Sequence, residues 1–93
     1  DMISAYVKSS NDMGWAYYHM GDTDRAIKQW QVTRQVDPLD RDARANLAKV
    51  YNELAARAMS RGDRVEARTF WSKALSAQSR NRAAAHHLKR TAP

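Results

Sequence analysis

The side chains of this 93-residue chain best equipped for chemistry are three histidines, a few closely spaced aspartates and a large number of arginines. His86 and His87 are adjacent, so on a helix they point about 100° apart. Two histidines that share a metal from one helix sit four residues apart, on one face. His19 has no partner nearby in sequence. The Asp22–Asp24 spacing is that of helix capping rather than of a paired general acid and base. No glycine-rich phosphate loop occurs, and no nucleophile comes with a base and an orienting group. With no cysteine in the chain, a thiolate metal site and a disulfide framework are both excluded. The sequence thus predicts no catalysis, no metal and no cofactor, and leaves binding as the chemistry to expect.

Charge points the same way. Residues 1–40 carry four basic and six acidic side chains, whereas residues 41–93 carry twelve basic and four acidic. A basic half of that kind suits an acidic protein partner, a nucleic acid or an anionic membrane surface, or is a solvated arginine-rich helical face. Arg57, Arg61, Arg64 and Arg68 form one cluster, and Arg80, Arg82, Lys89 and Arg90 a second. Such clusters take phosphates, but RNA readers add exposed aromatics on which bases stack. Phe70 and Trp71 read as core, so nucleic acid is the weaker of the partner readings. No run of 18 apolar residues exists, so no membrane span is expected.

The elements that position these residues are helical. Glycine and proline punctuate the chain only at Gly14, Gly21, Pro38, Gly62 and Pro93, and between them lie Ala, Arg, Lys, Leu, Met and Gln. Five helices follow. The first covers about 2–20 with Asp1 as cap; the second covers about 24–36, capped by Asp22 or Thr23 and stopped before Pro38. The third runs from about 41 to 61 behind Asp40. The fourth starts after Asp63, where Asp63 and Glu66 have capping-box spacing, and reaches about 79. A fifth, over 82–91, starts from Asn81, unless one uninterrupted helix runs from 64 to 90.

An internal repeat underlies this order. Met13, Gly14 and Tyr17 recur 34 residues later as Leu47, Ala48 and Tyr51. Gly21, Asp22, Ala26, Trp30 and Thr33 recur 41 residues later as Gly62, Asp63, Ala67, Trp71 and Ala74. The second copy therefore holds seven extra residues between Tyr51 and Gly62. Seven residues are about two turns and rotate a helix face by only about 20°. Leu54, Ala55 and Ala58 repeat the stripe of Leu47, Ala48 and Tyr51 one heptad on, so the insertion lengthens the third helix rather than forming a loop.

With Pro38 closing the first copy, this pattern resembles the tetratricopeptide repeat: a large apolar residue, a small one, Tyr, Gly, Ala, an aromatic, a small residue and Pro. The first copy covers about 7–40 and the second about 41–80, with Ser79 in place of the proline. Residues 82–91 resemble the first helix of a third copy or a capping helix. The resemblance implies an all-α, right-handed solenoid of antiparallel helix pairs forming a single domain, and the chain reads as a piece of a longer protein. It also implies a concave groove lined by the first helix of each pair. Matching positions are Lys8, Asn11, Trp15 and Tyr18, then Asp42, Ala45, Lys49 and Asn52, with His86, His87 and Arg90 if the last helix docks as a third copy. The chaperone-tail clamp known in part of the family is not reproduced. Asn46 fits it, but Asn11 and Ala83 stand in place of lysines, Trp15 in place of an asparagine and His87 in place of an arginine.

Met13 and Tyr17 are expected to face inward, and Trp30 and Trp71 to be core. Trp15 lies about 200° round the wheel from Met13. It either anchors a partner or packs on a neighbouring helix. The function expected is a protein-interaction module holding a peptide or partner helix. The alternatives are self-association through Leu54, Ala58 and Met59, and nucleic-acid contact through the arginines.

Overall fold

The computed structural model describes residues 1–93. It contains five α-helices and no strand: α1 Met2–His19, α2 Thr23–Val36, α3 Arg41–Ser60, α4 Arg64–Ala77 and α5 Arg82–Arg90. Each helix starts on an aspartate or asparagine whose side-chain oxygen accepts a backbone N–H three residues on. These pairs are Asp1–Ser4, Asp22–Arg25, Asp40–Ala43, Asp63–Glu66 and Asn81–Ala84, at 2.8–3.2 Å. Every first turn thus has one of its orphan donors satisfied, typically worth about 1 kcal/mol. Asp22 rather than Thr23 is the cap of α2.

The helix ends repeat as well. Gly21 and Gly62 take φ of +83° and +78°, a conformation that lets the next residue fold its N–H back onto the helix. The Asp22 N–H donates to the Tyr17 carbonyl and the Asp63 N–H to the Ala58 carbonyl, both at 2.9 Å. No such glycine follows α4, which instead stops because Gln78 turns to extended backbone and Asn81 restarts the chain as a cap. Residues 64–90 therefore form two helices. α3 continues unbroken to Ser60, so the seven extra residues are helical.

The helices fall into two compact units, residues 1–47 and 48–93. In the first, α1 and α2 form a hairpin. Trp30 is fully buried, and its Nε1 donates to the Asn11 carbonyl at 3.2 Å. Gly14 lies against the indole so closely that a Cβ there would collide with the ring. Burying one indole at about 25 cal/mol per Å² over about 150–250 Å² is worth roughly 4–6 kcal/mol as an upper estimate. Beside it, Thr33 Oγ1 donates to Ser10 Oγ, and Gln29 Nε2 donates to the same oxygen, both at 2.7 Å.

The second unit has a more apolar core. Its core is alanine-rich: Ala55 and Ala58 on α3, Ala67, Ala74 and Ala77 on α4, and Ala84 on α5. Trp71 is buried among them, and its ring stacks on His87 with centroids 4.6 Å apart. Tyr51 of α3 stacks on half-buried Phe70 of α4 at 6.3 Å.

Two expectations need correction. Met13 does not face inward: it is 47% exposed, because the face of α1 that meets α2 is centred on its neighbour Gly14, about 100° away. The lengthened part of α3 is not an open apolar surface either. Ala58 is fully buried and Leu54 half-buried, leaving Met59 as the exposed member of that trio. Trp30 and Trp71 are core as expected.

Gly14→Ala is expected to destabilise the chain by about 1–3 kcal/mol, the usual cost of an added methyl in a filled interior. Urea unfolding measures this, and a midpoint equal to that of the native chain would show that the indole has room to move.

Candidate functional site

The side chains aligned with the groove fall into distinct surroundings in the two units. In the first unit, Lys8, Asn11 and Asp42 border a hollow together with Asp12, Asp37 and Asp40. Asn11 is buried, and its Nδ2 donates to Asp40 Oδ2 at 2.8 Å, the same oxygen that caps α3. This amide therefore ties α1 to the start of α3, a structural task. Its Oδ1 is buried without a hydrogen-bond partner.

Trp15 packs on the neighbouring helix. Its ring meets Trp30 edge-on at 5.2 Å and lies near-parallel to His19 at 5.7 Å, while the residue stays half-buried. Tyr18 completes the aromatic cluster, edge-on to Trp15 at 5.4 Å. The edge-to-face geometry is the favoured one for aromatic pairs. Ala45 and Lys49 are exposed on α3.

The second unit contains a cleft of about 400 Å³ between α3, α4 and α5. Ala56, Met59, Trp71 and Ala83 supply its apolar part, and Asn52, Arg64, His87, Arg90 and Thr91 its polar part. Asn52 is half-buried, and its Oδ1 is shielded from solvent with no hydrogen-bond partner. A carboxamide offers the same donor and acceptor set as a peptide unit, so an unmatched oxygen here suits a main-chain N–H. Arg64 and Arg90 are exposed, and neither belongs to the ion pairs Arg25–Asp22 and Arg61–Glu66. His87 forms part of the wall by stacking on Trp71. His86 is exposed beside it, with ring centroids 5.7 Å apart at 66°.

The C-terminal end of α5 is tied down from α4. Arg68 Nη1 donates to the Leu88 carbonyl and to Thr91 Oγ1, both at 2.7 Å, and Thr91 Oγ1 donates to the His87 carbonyl at 2.7 Å. A guanidinium at a helix C-terminus satisfies orphan carbonyls and opposes the negative end of the helix dipole. This clamp fixes the helix that carries His87 and Arg90.

Asn52, His87 and Arg90 were legible from the repeat spacing, but Ala56, Met59, Arg64 and Trp71 were not read as lining a site. The signal for Ala56 and Met59 lies in the seven-residue insertion that lengthens α3. Trp71 reads as pure core from sequence, because nothing there shows that its ring stacks on a cleft residue.

No protein-family model matches the chain, and no curated protein sequence is significantly similar to it.

Arg68→Ala is expected to cost about 1.5–3 kcal/mol locally, the range for hydrogen bonds from a charged donor. Hydrogen exchange should then quicken in α5 while amides of α1 and α2 keep their protection. Uniform quickening along the chain would show that Arg68 supports the fold as a whole.

Proposed function

We propose that the chain is a tetratricopeptide-type interaction module whose second unit holds an acidic peptide segment from another protein. The observation that carries the reading is the cleft around Asn52. It pairs a shielded acceptor oxygen lacking a partner with an apolar floor and an arginine at each of two positions on its border. A free amide oxygen selects a peptide backbone, Met59 and Trp71 select an apolar side chain, and Arg64 and Arg90 select a carboxylate beside it.

The repeat pattern and the succession of helical hairpins support the family reading. Charge supports the sign of the partner: residues 48–93 hold ten basic side chains against three acidic ones. Trp15 and Tyr18, partly open in the first unit, are further anchor points of the kind that dominate binding energy.

A displayed random-peptide library should enrich sequences in which an apolar residue has an Asp or Glu nearby. Asn52→Ala and Arg90→Glu should each weaken the selected peptides by about tenfold or more, about 1.4 kcal/mol. A failure to enrich any such sequence would contradict the proposal. So would tight binding of RNA with a steep salt dependence and indifference to Asn52→Ala, which would instead favour the nucleic-acid reading.

A further inference from the structure

α1 has two faces. Toward α2 it buries Val7, Ser10, Asn11 and Gly14. The opposite side carries Met2, Tyr6, Met13 and Met20, which are 89%, 49%, 47% and 73% exposed. Single exposed apolar side chains are ordinary, but these form a series. Met2, Tyr6, Ser9, Met13, Ala16 and Met20 follow one another at steps of four and three residues from end to end of the helix. This is the 3.5-residue period of a helix–helix seam.

The internal repeat shows what such a face does when covered. Ser9, Met13, Ala16 and Tyr17 correspond, 34 residues on, to Ala43, Leu47, Val50 and Tyr51 of α3. Those four are all buried, whereas the α1 set is open or half-open.

We infer that this seam pairs with the same seam of a second copy of the chain, antiparallel, about a two-fold axis near residue 11. In that register Met2 faces Met20 of the other copy, Tyr6 faces Ala16 and Ser9 faces Met13. Large thus meets small in each central layer, the interdigitation that fills a helix interface. A parallel pairing would set Tyr6 on Tyr6 and leave Ser9 on Ser9 and Ala16 on Ala16 as gaps. On one flank of the antiparallel pair, 61%-exposed Ile3 comes beside Tyr17 of the other copy.

Charge favours a second copy as the occupant. Lys8 and Asp12 are the only Lys, Arg, Asp or Glu side chains of α1, so the helix is neutral, whereas residues 48–93 would repel their like. Asp12 meets its counterpart near the axis, a repulsion kept small by exposure and salt. The contact is isologous, so it closes as a dimer instead of growing into a filament.

Sedimentation equilibrium over a low- to high-micromolar series tests this. The native chain is expected to dimerise across the series, and Met13→Glu to remain monomeric with unchanged helical circular dichroism. A native chain that stays monomeric overturns the inference and leaves the seam to a helix of another protein. A dimer indifferent to Met13→Glu overturns it equally. Because the chain has no cysteine, orientation is tested by oxidation of single-cysteine variants. Asp12→Cys is expected to form a disulfide-linked dimer and Met2→Cys is not; the reverse result overturns the antiparallel register.

Discussion

The rest of this molecule depends on a tryptophan needing a notch. An indole at the middle of each second helix can be buried only if the facing helix removes side-chain volume in front of it. In the first unit this is done to the limit by Gly14, where no Cβ fits, and the indole N–H finds the Asn11 carbonyl. The same position in the second copy is Ala48 and the indole is Trp71, which lies against alanines and stacks on His87. The close approach of the helices sets which faces are consumed by packing and therefore which remain to meet a partner.

The two copies use one pattern for different ends. Ser10, Gln29 and Thr33 form a hydrogen-bonded set in the first unit, whereas the counterparts of Gln29 and Thr33 in the second unit are the apolar Phe70 and Ala74. Polar groups with matched partners specify a hairpin, while an apolar interior tolerates an adjoining hollow without stranding donors. The hollow in the second unit is bordered by arginines and by Asn52, whose oxygen is left without a partner. Most buried polar atoms of folded chains are matched, and the proposed peptide N–H would supply the partner this acceptor lacks.

Much of the fold was legible in the sequence because helix ends are local events. Asp1, Asp40, Asp63 and Asn81 were readable as caps, and Gly21 and Gly62 as stops, from spacing alone. The break before α5 was open at that level because Gln78 carries no turn chemistry of its own. Burial was less legible where it depends on which face a neighbour covers. Met13 holds the large-apolar position of the repeat yet is exposed, while its counterpart Leu47 is buried. The candidate site was legible in its amide, its histidine and Arg90, whereas Ala56 and Met59 come from a helical insertion and Trp71 contributes the edge of a core ring.

The central claim is that the Asn52 cleft receives peptide backbone with an acidic side chain beside it. Backbone and indole NMR shifts recorded during titration with a short apolar–acidic peptide test it most directly. The account predicts that the largest shifts fall on the Asn52 side-chain amide, the Trp71 indole N–H and the α5 amides near His87, and that they saturate together. Shifts confined to scattered arginine neighbours and abolished by moderate salt, with Asn52 and Trp71 unmoved, would contradict it.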